Sequence, residues 1–283
     1  MTWHKLTLTL LFSAAMIGNA AAEIRYQHIR NATAKIHYGD KTFLVDPYLA
    51  PKGSYPGFAG TVNSDARNPL IDMTQPADAV IQDIDAVILT HTHPDHWDAA
   101  AQKLIAKTTP IFVQNAGDAA IVRQQGFSDV RVVGKNTPFG QVKLSKTGGQ
   151  HGTDQMYAEP QMAEFLGEAM GVVFQTPDEK TLYIVGDTIW NPAVDQALSD
   201  YQPDVMVMNT GYAKLQGMDG GIIMGTADVS KAYRRAPQAN IVTVHMDAVN
   251  HATVSSQTMR QYVKAGNMED RVSVPKEGEM LKF

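Results

Sequence analysis

Six consecutive residues, His91-Thr92-His93-Pro94-Asp95-His96, bring together three imidazoles and a carboxylate. Nitrogen and oxygen donors packed this densely are the raw material of a divalent-metal site. In an extended segment the side chains at i and i+2 point the same way. His91 and His93 can therefore grip one ion, while Asp95 and His96, on the turn that follows, can grip a second nearby. Three more residues repeat the placement. His151 follows the run QVKLSK, Asp187 follows TLYIV, and His245 ends NIVTV. A single histidine at a strand end is more often a hydrogen-bonded structural group. Together these positions total five histidines and two aspartates, enough for two metals and a bridging carboxylate.

Such a cluster needs a frame that delivers several chain segments to one edge. The run AVILT at 86–90 reads as a short buried strand feeding the histidine loop, and Trp97 to Lys107 as a helix. Upstream, Thr33 to Tyr38 and Lys41 to Asp46 are strand-like, with Gly39-Asp40 as a hairpin turn. Downstream, strands are expected at 110–114, 141–146, 204–209 and 240–245, and helices at 117–125, 227–235 and 255–265. Residues 171–175 and 181–185 should pair as a hairpin around Pro177-Asp178. Hairpins followed by β–α alternation imply an α/β protein with mixed sheets. Three stretches carry no clear period: Pro47 to Pro76, Gln155 to Met170, which has mixed helical character, and the Gly-rich Gly211 to Gly225. The first holds Tyr55, Phe58, Arg67 and Leu70, residues that disordered segments lack, so it reads as an ordered loop near a site.

The chain of 283 residues is 44% hydrophobic and 19% charged, with a formal net charge of -5. This balance suits a globular protein and leaves no electrostatic footprint for nucleic acid. With no cysteine, thiolate ligands and a cysteine nucleophile are excluded. Residues 1–22 have the layout of a secretory signal peptide: Lys5, an apolar stretch from Leu6 to Gly18, then Ala20-Ala21-Ala22. That predicts a periplasmic or secreted protein with one domain over 23–283 and no stable membrane association after cleavage. No other stretch of the sequence is apolar enough to cross a membrane.

The order His91-x-His93-x-Asp95-His96, His151, Asp187, His245 resembles the metallo-β-lactamase superfamily. The segments FLVDPYLAPKGSYPGF, RNPLIDM, THTHPDHWD, YIVGDTIW and HMDAVNH are similar to the branch containing L-ascorbate-6-phosphate lactonase. The resemblance implies a four-layer αββα sandwich with the metals at one edge. It implies that His91, His93 and His151 hold the first metal, that Asp95, His96 and His245 hold the second, and that Asp187 bridges. Asp46 would support the histidine loop. Nitrogen-rich ligands favour Zn²⁺, and the branch also uses Mn²⁺. The expected activity is hydrolysis of a small lactone, ester or amide by a hydroxide shared between the metals. Asp95 would ligate and accept a proton, and His251 would contact substrate or donate a proton. The alternatives are a β-lactamase and a non-catalytic metal-binding protein on the same scaffold. Arg67, Tyr55 and Tyr212 are further candidates for substrate contact. Gly217 to Gly221 lacks the ending of a phosphate loop and reads as a loop lining or covering the site. Met156, Met162 and Met170 read as packing rather than copper ligands.

Overall fold

A computed structural model describes Met1, residues 23–177 and residues 179–283. The signal-peptide expectation for residues 1–22 lies outside the described residues, as does Asp178 in the hairpin turn. Three strands open the described chain as an antiparallel meander: β1 (Arg25–Arg30), β2 (Thr33–Tyr38) and β3 (Lys41–Val45). From β3 the sheet continues in parallel through β4 (Ala86–Ile88), β5 (Ile111–Val113) and β6 (Val130–Val132). A second sheet begins with the antiparallel β7 (Thr137–Phe139), β8 (Val142–Thr147), β9 (Gly171–Gln175) and β10 (Leu182–Ile184). It ends with the parallel β11 (Val205–Asn209), β12 (Asn240–Val244) and β13 (Val272–Ser273). The last strand, β14 (Met280–Lys282), returns to pair with β1, so each sheet has seven strands.

Side-chain alternation explains how the sheets stack. Along β4, Ala86 and Ile88 face the second sheet, while Val87 and Leu89 face outward to Trp97, Ala101 and Ile105. Along β11, Val205 and Val207 point inward and Met206 and Met208 outward. Both faces of these strands are buried, so their sequences are continuously apolar. Between the sheets lie Ile36, Phe43, Val45, Phe112, Leu144, Val172, Phe174 and Val242.

Helices cover both outer faces. α1 (Ala77–Ile81), α2 (Ala99–Leu104) and α3 (Ala116–Gln124) lie on the first sheet. The short α4 (Asp154–Tyr157) and α5 (Pro160–Leu166) fill the stretch of mixed helical character. α6 (Pro192–Tyr201), α7 (Thr226–Arg235) and α8 (Ser256–Ala265) cover the second sheet. The result is the αββα sandwich. α2 is shorter than the expected Trp97–Lys107 because Asp98 is its N-cap, accepting from Ala101 N, and Ile105 has already turned extended. α6 starts at a clear signal, an Asn191 cap followed by Pro192.

Candidate metal centre

The strands β3, β4, β8, β10 and β12 deliver their ends to one edge of the sandwich. Asp46, just after β3, has a left-handed backbone with φ 44°. Its carboxylate accepts from Thr90 N at 2.7 Å, from Thr90 Oγ1 at 2.7 Å and from His96 Nδ1 at 2.9 Å. One side chain thereby locks the start and the end of the histidine loop. The turn itself closes when His96 N and Trp97 N both donate to His93 O at 2.9 Å. After β10 the chain turns through Gly186, with φ 75° and the Met170 carbonyl where a Cβ would stand. Only glycine fits there, and the turn presents Asp187. His245 is also left-handed, with φ 61°.

All seven side chains singled out by type and order meet at this edge. His91 Nε2 lies 3.0 Å from His93 Nδ1, and His96 Nε2 lies 3.0 Å from His245 Nε2. His245 Nε2 is 3.3 Å from Asp95 Oδ2. Asp187 Oδ2 is the hub: His96, His151, His245 and His91 approach it at 3.1, 3.6, 3.6 and 3.9 Å. Its other oxygen accepts from Asn209 Nδ2 at 2.6 Å. Three triads have donor atoms within 4.8 Å of one another: His91, His93 and His151; His91, His96 and Asp187; Asp95, His96 and His245. Four donors placed tetrahedrally about a metal at roughly 2.0–2.1 Å stand about 3.3 Å apart. The separations here fit that requirement.

The electrostatics fit it too. Burial pushes His91 well below its ordinary value, and the neighbouring histidines add to the effect. Burial also pushes His93 down to about 4 and lowers His151. These rings are neutral at neutral pH, with lone pairs free to ligate. Burial opposes charge on Asp95 and Asp187, but the surrounding imidazoles, His96 foremost, outweigh it and hold both carboxyls well below the usual range. His96 moves the other way. Burial disfavours its charge, but Asp187, Asp46 and Asp95 together raise it well above its ordinary value. Two ionised carboxylates among buried imidazoles, three of them held neutral, make a centre that draws positive charge to itself.

A cavity of about 240 Å³ opens on this centre, lined by His93, Asp95, His151 and Asp187 on one side. Phe58, Phe165, Leu166 and Ile222 form its apolar wall. His251 lines it as well, edge-on to Phe58 at 5.1 Å, and burial pushes its imidazole down to about 4. Three sequence candidates stand elsewhere. Arg67 is exposed and donates to Gly53 O and Ser54 O. The Tyr55 hydroxyl donates to Asp98. Tyr212 packs against Gly221 and Gly225. None of these is among the residues that line the cavity; each makes its contacts within the surrounding loops. Met156 and Met162 pack with Leu166 and Ile222, and Met170 lies between the sheets.

The supporting asparagines were missed. Besides Asn209, Asn31 donates to Asp95 O at 3.1 Å. Asn250 pins the long loop: its amide accepts from Phe58 N and Asn68 Nδ2, and donates to Thr61 Oγ1 and Val62 O. Their only signal was an amide beside an apolar strand or a candidate histidine. Asn is so common in turns that this distinguishes nothing.

Comparison with known proteins agrees with this geometry. A family model described as a β-lactamase superfamily domain matches residues 41–246. The UPF0173 protein YddR of Bacillus subtilis strain 168 is 39% identical over 90% of this chain and 98% of its own length. A possible metal-dependent hydrolase from Veillonella parvula is 47% identical, with a TM-score of 0.91, over 93% of this chain and 100% of that one. Isothiocyanate hydrolase from Delia radicum gut bacteria is 40% identical, with a TM-score of 0.88, over 92% of this chain and 99% of that one. On these likenesses the chain belongs to the metallo-β-lactamase superfamily and, within it, to the UPF0173 family of metal-dependent hydrolases.

Proposed function

We propose that this chain is a dinuclear hydrolase acting at an electrophilic carbon of a small, largely apolar molecule. The observation that carries the proposal is the seven-residue cluster opening directly into a cavity walled by Phe58, Phe165, Leu166 and Ile222. His91, His93 and His151 would hold one ion, Asp95, His96 and His245 the other, and Asp187 Oδ2 both. The nitrogen-rich donor set favours Zn²⁺ over Mn²⁺. Two such ions, when bound, make hydroxide available at neutral pH and polarise the atom under attack.

The protein's own groups do the rest. The apolar wall holds the body of the substrate and excludes bulk water from the reacting end. Asp95, at the cavity floor, is placed to take a proton from the attacking water. His251, buried and neutral, lines the same cavity, where its ring can hydrogen-bond the substrate and hold it against the cluster. A cavity of about 240 Å³ suits a small molecule rather than a polymer.

Several carbon electrophiles satisfy these terms: isothiocyanates, lactones, esters and amides. The likeness to isothiocyanate hydrolase over nearly the full length favours the first. The lactone arm tests the resemblance to the ascorbate-6-phosphate lactonase branch. The deciding experiment is metal analysis of the purified protein together with turnover on an isothiocyanate, a lactone, an ester, an amide and nitrocefin. About two metals per chain with turnover of an isothiocyanate or one of the acyl substrates is the expected result. Nitrocefin turnover alone would favour a β-lactamase. Bound metal with no turnover of any compound would favour a non-catalytic metal-binding protein. Residues 1–22 support export as well. Recovery from the periplasmic fraction with Glu23 at the N-terminus is the expected outcome, and recovery of the uncleaved chain from the cytoplasm would refute it.

A further inference from the structure

Four of the five clustered histidines have their outward ring nitrogen engaged. His91 Nδ1 lies 3.2 Å from Thr90 Oγ1, and His96 Nδ1 lies 2.9 Å from Asp46. His151 Nδ1 lies 2.9 Å from Ile222 O, and His93 Nε2 lies 3.2 Å from Phe165 O. His245 differs. Its Nε2 faces the cluster, and its Nδ1 is buried with no partner among the described residues. Metal-binding imidazoles almost always donate their second N–H, which fixes the tautomer and the ring orientation.

Behind His245 lies a cavity of about 10 Å³ whose lining includes His28, Asn31, Asp247 and Glu277. His28 Nδ1 and Asn31 Oδ1 are likewise buried without partners among the described residues. The Asn31 amide is oriented by its Nδ2, which donates to Asp95 O at 3.1 Å, so Oδ1 is left as a free acceptor. The Asn31 carbonyl accepts from His245 N at 3.1 Å, tying the two residues together. A register shift between His28 and Arg30 interrupts β1 at this point. Such bulges re-aim side chains. Burial holds His28 neutral, pushing it down to about 4, so one of its ring nitrogens is an acceptor.

The volume is that of one water, and a buried water typically makes about three hydrogen bonds. The three orphan atoms supply one donor and two acceptors. A cation would meet the His245 N–H head-on, and one oxygen of Asp247 is already taken by Ser256 N at 3.0 Å. We propose that this cavity holds a single structural water. It accepts from His245 Nδ1–H and donates to Asn31 Oδ1 and His28 Nδ1, which makes His28 and Asn31 positioning residues for His245. This rests on the reading of His245 as a metal ligand.

The test joins a high-resolution crystal structure of the metal-loaded protein to chelator-competition titrations of His245→Ala, His28→Leu and His28→Gln. An ordered water within hydrogen-bonding distance of all three atoms is expected. His245→Ala should lose one metal outright. His28→Leu should keep full stoichiometry at saturation but bind its weaker metal about 10–100-fold less tightly. His28→Gln, which keeps a polar group at the cavity, should restore the affinity. Melting of the metal-free variants separates these effects from loss of fold. A dry cavity, or a folded His28→Leu protein with unchanged affinity, overturns the water. Retention of both metals by His245→Ala instead overturns the ligand assignment, and the water's role with it.

Discussion

Asp46 lies outside the proposed ligand set but meets three donors, one of them the ring of His96. Replacing it with alanine leaves every proposed ligand in place and removes what orients His96 and the histidine loop. Asp46→Ala should therefore weaken metal binding about 10–100-fold, read by competition with a coloured chelator, and unchanged affinity would contradict the orienting role. His251 contacts the cavity rather than the cluster. If it hydrogen-bonds the substrate in the cavity, His251→Ala should lower kcat about 10-fold with metal content intact. An unchanged kcat would reduce it to wall packing against Phe58. The clustered side chains themselves were legible in the sequence because few roles other than metal binding call for His-x-His-x-Asp-His after a buried strand. The groups that hold them were not. Asn31, Asn209 and Asn250 act through one hydrogen bond or a few across long sequence separations, and nothing local marks such a contact.

The strands that carry the site were legible for a related reason. β4, β10, β11 and β12 are buried on both faces, so each is largely apolar, with Asn209, Asn240 and Thr243 the polar exceptions. The short edge strands β6, β7, β13 and β14 were not, since two or three residues hold no period and take their form from a neighbour. The segment from Pro47 to Pro76 was legible as ordered but not in how its order arises. Buried Arg30 donates to the carbonyls of Tyr48, Ala50 and Ile71, Asp98 accepts from Leu49 N and Ala50 N, and Asn250 clamps the middle. This loop contributes Phe58 and Thr61 to the cavity. Asn250→Ala leaves several buried polar groups unpaired, at about 1–3 kcal/mol for each group that water cannot reach. The variant should melt lower and be cut first within residues 47–76 in limited proteolysis. Cleavage elsewhere first would show that the loop does not depend on this clamp.

For the molecule as a whole, the buried histidines set the acid limit. His28, His93 and His251 are each pushed from 6.5 down to about 4 by burial. As pH falls below 6.5 the unfolded chain takes up protons at these positions before the folded chain does, so stability falls as pH drops. His96 has the opposite sign: its contribution is present in acid and is lost as pH rises through its elevated value. His91 and His151 are lowered as well, and the contribution of His96 is constant below pH 6.5, so the metal-free protein should melt at progressively lower temperature from pH 6.5 to about 4. A flat profile across that window would count against their burial as neutral rings. The cluster also joins distant parts of the chain. His91, His93 and His96 follow a strand of the first sheet, and His151, Asp187 and His245 follow strands of the second. His96 and His245 meet at 3.0 Å although 149 positions apart in a chain without a cysteine. An ion held between them would make the two sheets open as one cooperative unit. Amide hydrogen exchange would show it as β4 and β12 sharing a single opening free energy when metal is bound, and separating into two once it is stripped.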